Sequence, residues 1–241
     1  MLRLEPCSSK AHAQRVLPGD IAGFIAVDCT NELIVVAFRD TMSRINGRTD
    51  LEFLQIAAPT VCAGCRIDSG FSQAAAAAIL LLARPLQEAR NQYPNHRIVI
   101  TGHSLGGALA TMYAAFLRAR DVYVDLYTFG APSVGNLAFA EAITKDWESF
   151  GTNYRVTHAD DEIPKILFQL SRKKFFDLIV PEYSQSSPEH WITSAYRQPV
   201  TVADIRVIEG VNNVTGNLGG GLGNIRDHTW YLGRTSVCVD E

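Results

Sequence analysis

The sequence predicts an α/β fold: one mostly parallel, mixed β-sheet covered by helices on both faces. Two observations carry this. Short β-branched runs alternate with longer segments of helical periodicity, and the central runs are continuously apolar, as strands buried on both faces must be. A third is size. The 241 residues, 47% hydrophobic and 20% charged, suffice for one domain, 1–241, with one large core.

The elements follow in order. Residues 22–28 and Leu33–Phe38 are apolar strands separated by Cys29-Thr-Asn-Glu32, which reads as a hairpin and makes the sheet mixed. The first strand is thus expected near Ala22. Residues 44–50 are a polar loop around Gly47. Residues 71–90 have helical periodicity and stop before Tyr93-Pro94; the alanine-rich stretch 74–83 within them reads as buried helix. A compact strand at 97–101, a helix over Leu105–Arg118 and a strand at Val124–Phe129 come next. Residues 136–147 form a helix opening on an Asn cap, and 154–157 a strand ending at His158. The chain then reads as irregular until a last alternating strand at 201–208. A glycine-rich loop, 216–223, leads into Asp227-His228.

Composition narrows the function. With 22 basic against 25 acidic residues the net charge is −3, so neither the whole chain nor any basic stripe offers a footprint for nucleic acid. No run approaches the roughly 18 apolar residues of a membrane span. Residues 1–15 lack the apolar stretch of a secretory leader. Asn213-Val-Thr215 is an N-glycosylation triplet, of a kind that also arises by chance.

The five cysteines are Cys7, Cys29, Cys62, Cys65 and Cys238. Cys62-Ala-Gly-Cys65 has metal-like spacing but no second pair, and its irregular setting does not suit a redox motif. A local disulfide and free thiols both remain open. A bridge from Cys238 to Cys7 or Cys29 would contribute about 4–5 kcal/mol on chain-entropy grounds. An odd count leaves one thiol over.

Thr101-Gly102-His103-Ser104-Leu105-Gly106-Gly107 contains G-x-S-x-G between an apolar strand and a small-residue helix. That setting suits a nucleophile. Serine sits on a sharp turn above the sheet edge, flanking glycines let strand and helix approach, and the Leu105 amide at the helix start can face an oxyanion. Serine also needs a base. Of six histidines, chain order leaves His158, His190 and His228. The first ends a strand and the second lies in irregular chain, so both read as structural. His228, beyond a flexible loop, is the candidate base. The acid must follow a strand after Ser104; Asp160, Asp161 and Glu162 all do, and position does not separate Asp160 from Asp161.

Together these residues resemble the filamentous-fungal (class 3) lipases. The likeness runs through Gly23-Phe-Ile-Ala-Val-Asp28, Leu33-Ile-Val-Val-Ala-Phe-Arg39, Cys62-Ala-Gly-Cys-Arg66 and Gly102-His-Ser-Leu-Gly-Gly-Ala-Leu-Ala-Thr111. It continues through Gly130-Ala-Pro-Ser-Val-Gly-Asn136, Arg155-Val-Thr-His158, Ser186-Ser-Pro-Glu-His-Trp-Ile192 and His228-Thr-Trp-Tyr-Leu-Gly233. The feruloyl esterases are similar more distantly. The resemblance implies an α/β-hydrolase fold, secretion, a Cys62–Cys65 bridge and a bond from Cys238 to an N-terminal cysteine.

It further implies Asp161 as the acid, completing Ser104, Asp161 and His228, with Leu105 and Thr41 as oxyanion donors and no metal or cofactor. The implied substrate is an acylglycerol or smaller ester, met at a lipid interface through a lid around Met42 to Leu51; no protein partner is implied. Four features depart from the pattern. Asp40 replaces the oxyanion-motif glycine, and Asp160 stands where the family usually has Asn. The lid, 42–52, is short and polar, with Met42, Ile45 and Leu51 its only large apolar residues, and the family's N-terminal helix is largely missing. A hydrolase acting on acylglycerols is the reading favoured; feruloyl, short-chain or phospholipid esters, and a non-catalytic lipid-binding fold, are the alternatives.

Overall fold

The computed structural model describes residues 13–17, 21–39, 54–145, 147–172, 180–221 and 223–235. Among them, eight strands form one sheet. Strands β1 (Ala13–Leu17), β2 (Ile21–Asp28) and β3 (Leu33–Phe38) run antiparallel at one edge. Strands β6 (Arg97–His103), β7 (Val124–Phe129), β8 (Asn153–His158) and β9 (Glu189–Ile192) follow β3 in parallel. The edge beyond is β10 (Ile205–Ile208), antiparallel to β9. A separate small hairpin pairs β4 (Gln55–Ala57) with β5 (Arg66–Asp68), and the Cys62–Cys65 disulfide lies in its loop.

Helix α1 (Ser69–Gln92) begins two residues before the periodicity suggests, because the Asp68 carboxylate caps it by accepting from the Phe71 amide at 2.9 Å. Its apolar stripe, Phe71, Ala75, Ala78, Leu82, Leu86 and Ala89, is buried, while Leu80 on the far side is 80% exposed. Helix α2 (Leu105–Arg118) is buried nearly all round and packs against α1 and strands β3, β6 and β7. This is why its sequence is rich in alanine and glycine: small side chains let it lie close to the sheet. Helix α3 (Leu137–Lys145) has the expected cap, Asn136 Oδ1 accepting from the Phe139 amide at 3.1 Å. The short α4 (Trp147–Phe150) follows it.

The two sides of the sheet are unequally dry. Ile34, Val36, Phe38, Ile98, Ile100, Val124 and Leu126 are buried in the core that holds α1 and α2. Their alternating neighbours Leu33, Val35, Ala37, Val99, Tyr127 and Phe129 are only half-buried. Tyr127 and Tyr154 stack there with ring centroids 4.3 Å apart.

Three expectations need correction. Pairing starts at Ala13, not near Ala22, since β1 adds a strand outside the hairpin. The stretch after His158 is not irregular throughout. It contains α5 (Ile163–Arg172) and β9. Pro164 is the second residue of α5, where a missing N–H costs no helical bond. Strand β9 is only four residues long and carries a buried acid, Glu189, that breaks its apolar pattern. Finally, only half of 201–208 is strand. Asp204 accepts from both the Thr201 amide (2.8 Å) and hydroxyl (2.7 Å), curling Val202–Asp204 into a 3-10 turn before β10 starts.

The carboxyl ends of the parallel strands are in register: Phe38 pairs with Gly102, His103 with Phe129, and His158 with Ile192. Gly102 and Gly106 make the closest approach in this region. A Cβ on Gly102 would lie 2.2 Å from the Gly106 carbonyl oxygen, and one on Gly106 would lie 2.4 Å from that of Phe38. Backbone cannot yield as a side-chain tip can. Gly102→Ala is therefore expected to cost about 3 kcal/mol and lower Tm by roughly 6–12 °C. Gly221→Ala, with nothing within 4 Å of its Cβ, should stay within about 2 °C of the parent. Thermal unfolding followed by circular dichroism compares the two.

Candidate active site

Ser104 stands between β6 and α2 with φ 54° and ψ −125°. A positive φ is unusual for a residue with a Cβ and costs about 1–3 kcal/mol unless neighbouring bonds impose it. Here they do: the Ser104 amide donates to Phe129 O at 2.8 Å, and its carbonyl accepts from the Gly107 amide at 2.9 Å. The Leu105 amide opens α2, one of the donors that a helix start leaves without an intrahelical acceptor. Strand β3 ends beside this turn, Phe38 opposite Gly102. Asp40, Thr41 and the segment 42–52 lie outside the described residues, as do Cys7 and Cys238.

Asp161 follows β8 and is fully buried. Its Oδ2 accepts from His228 Nδ1 at 2.8 Å and from the Tyr231 hydroxyl at 2.5 Å, and its Oδ1 from the Ile163 amide at 2.9 Å. Three donors on one buried carboxyl fix its position and orientation. The Nδ1 contact fixes the histidine tautomer, leaving Nε2 as the acceptor nitrogen. Burial, and next the charge of Asp161, pushes the Tyr231 phenol well above its ordinary range, so it stays a donor. Asn217 supports the same turn by donating Nδ2 to the Asp161 carbonyl at 2.9 Å.

His228 ends the short helix α6 (Ile225–His228), whose cap is Asn224. Its ring lies 4.4 Å from that of His103, and His103 Nε2 donates to the His228 carbonyl at 2.9 Å. Ser104 Oγ and His228 Nε2 are both buried, and among the described residues neither has a hydrogen-bond partner. Ser104, Leu105, Asp161 and His228 therefore gather at the carboxyl ends of the parallel strands, the crevice where open α/β sheets bind ligands.

The other candidates adjoin this group but are engaged elsewhere. His158 is buried, its ring nitrogens 3.0 and 2.9 Å from the carbonyls of Asp227 and Ser194. His190 sits on β9 beside Tyr154, its pKa lowered by burial first and by Arg155 next. Asp160 pairs with Lys165, whose side chain is 1% exposed against 48% for Asp160. Gly220 and Gly223 of the glycine-rich loop pack against this pair, and Asn224 donates its amide to Asp160 O at 2.8 Å. The loop carrying His228 is thus fastened to the turn carrying Asp161. Tyr231, Asn217 and His103 escaped the sequence reading. Tyr231 had a legible clue, since three residues beyond His228 it can return to the same carboxylate.

A sharp serine turn between a parallel strand and a helix, with an acid just after a later parallel strand and a histidine brought to it by a loop beyond the last strand, defines an α/β-hydrolase. The particular family follows from similarity. The class 3 lipase profile matches residues 35–171, more than half the chain. The secreted mono- and diacylglycerol lipase A of Penicillium cyclopium is 38% identical over 217 residues, covering 88% of this chain and 66% of that protein. The secreted mono- and diacylglycerol lipase 1 of Fusarium solani is 36% identical over 221 residues, covering 91% and 62%. The crystal structure of mono- and diacylglycerol lipase from Aspergillus oryzae superposes with a TM-score of 0.79 at 37% identity, covering 94% of this chain and 80% of that one. The chain belongs to the class 3 lipase family. It spans just under two thirds of the length of the two curated relatives.

The Asp160–Lys165 pair is lopsided, and so are its expected mutants. Asp160→Ala strands a buried ammonium and should cost about 3 kcal/mol, whereas Lys165→Met leaves a half-exposed carboxylate and should cost about 1 kcal/mol or less. Urea unfolding of both variants measures the difference.

Proposed function

We propose that this chain is a serine carboxylic ester hydrolase acting on acylglycerols, with Ser104, Asp161 and His228 as its catalytic triad. The observation that carries the reading is the Asp161–His228 contact of 2.8 Å, set beside a serine held at positive φ. His228 Nε2 takes the Ser104 proton as Oγ attacks the ester carbonyl, and Asp161 holds the imidazole tautomer and balances its charge. The Leu105 amide and Thr41 receive the oxyanion, each donor worth about 3 kcal/mol of barrier. His228 then protonates the leaving alcohol, and water repeats the steps on the acyl-enzyme. The unpaired Ser104 Oγ and His228 Nε2 suit this route, because such hydrogen bonds often tighten only when substrate is bound.

The substrate class rests on the relatives named as mono- and diacylglycerol lipases. Those names also carry the word secreted. Together with the Cys62–Cys65 bridge and a disulfide-bonded Cys29, they support an extracellular setting. Contact with the lipid interface is assigned to the lid at Met42 to Leu51.

The test is the initial hydrolysis rate on p-nitrophenyl esters of rising chain length, below and above their aggregation point. A rate that jumps on aggregation is expected; smooth saturation on short soluble esters alone would mean an esterase instead. Ser104→Ala should lose roughly 10⁴-fold or more in kcat. Serine-independent turnover would sink the triad. Tyr231→Phe removes one donor from Asp161 and should lower kcat about 5–10-fold with KM little changed. Steady-state kinetics on one soluble ester separates the two parameters.

A further inference from the structure

The triplet Asn213-Val214-Thr215 takes no part in the site described above. It closes the loop that follows β10. Asn213 Oδ1 accepts from the Thr215 amide at 2.9 Å and from the Thr215 hydroxyl at 2.8 Å, while Asn213 Nδ2 donates to Glu209 O at 2.6 Å. All three bonds lie within seven residues, so this turn needs no distant part of the chain to form. Val214 is 56% exposed, Thr215 is exposed, and Asn213 is half-buried between them and Glu209. An amide nitrogen carries two hydrogens. One serves Glu209, and the other is open to substitution without loss of that bond.

We propose that Asn213 Nδ2 is an N-glycosylation site. The co-substrate is a lipid-linked oligosaccharide diphosphate. The Nδ2–C1 bond forms as the bond from C1 to the phosphate oxygen breaks, the lipid diphosphate departs, and one Nδ2 proton passes to the base of the transferring enzyme. Placement favours a harmless modification. Glu209 follows Ile208, which pairs with Glu189 at the amino end of β9, whereas Ser104 follows the carboxyl end of β6. The glycan also stands beside an open strand. No strand pairs with the outer side of β10 among the described residues, and its Val207, two residues before Glu209, is 57% exposed. Unpaired apolar edges invite association, and a bulky hydrophilic group next to one blocks it. The proposal rests on the extracellular setting argued above.

The full chain, fused to a cleavable secretory leader, is expressed in yeast, and both secreted and cell-associated fractions are treated with peptide N-glycosidase. A mobility shift is expected, with conversion of Asn213 to aspartate in the peptide mass spectrum. Asn213→Gln and Thr215→Val should abolish the shift, and Thr215→Ser should keep it at lower occupancy. Asn213→Gln should hydrolyse esters at the parent rate. Leader-cleaved chain with unmodified Asn213, in cells whose own glycoproteins are modified, would overturn the site. Because the leader is supplied, glycosylated chain that hydrolyses no ester would count against the proposed function and leave the site standing.

Discussion

How closely a helix can approach a strand at a single serine decides the rest of this structure. Between β6 and α2 the backbone reverses within one residue, and Ser104 takes a positive φ to do it. Gly102 and Gly106 are required there because any Cβ would meet main-chain oxygen. The strain is held by the sheet on one side, through Phe129, and by the first turn of α2 on the other. Helix α2 can act as an anchor because it is buried along almost its whole length. A local conformational cost is thus carried by a helix buried along most of its length.

Around the serine the interior turns polar, and most of its groups hold one another, with Ser104 Oγ and His228 Nε2 left without a hydrogen-bond partner among the described residues. Asp161 gathers His228, Tyr231 and the Ile163 amide. Behind it, Glu189 accepts from the Thr157 hydroxyl at 2.5 Å and faces Arg155 at 3.5 Å. Burial lowers the Arg155 pKa and Glu189 opposes that shift. Such a web adds little net stability over apolar packing of equal volume, but it leaves few alternative arrangements for the groups it holds. The Asp160–Lys165 pair extends it outward to the glycine-rich loop. Glycine is needed there at Gly223, where φ is +90° and the backbone passes over Glu162.

Much of this was legible beforehand. Periodicity located α1, α2, β3 and β7 because long or continuous apolar runs dominate their sequences. The G-x-S-x-G turn could be placed because its neighbours on both sides matched the geometry it requires. What failed was short or locally determined. Strand β9 hides its character behind Glu189, whose burial depends on an arginine more than thirty residues earlier. Helix α5 opens on Ile163-Pro164, a pair that ends helices as readily as it begins them. The 3-10 turn at Val202–Asp204 is set by one aspartate side chain. Among Asp160, Asp161 and Glu162, spacing could not separate the first two. The family resemblance pointed to Asp161, and in the fold Asp160 faces Lys165 while Asp161 faces His228.

The unequal sides of the sheet give the molecule a direction of loosening. On the α1–α2 side, side chains such as Ile34 and Ile100 are wholly excluded from water. On the other, Val35, Val99 and Tyr127 are half wet in the native state. Separating layers on the dry side forfeits far more apolar burial than disturbing the damp one, so opening is expected to cost least around the Tyr127–Tyr154 stack and most at the α2 interface. Amide protons of β6 and α2 are then expected to exchange slowest, which keeps the serine turn between them among the last parts to open.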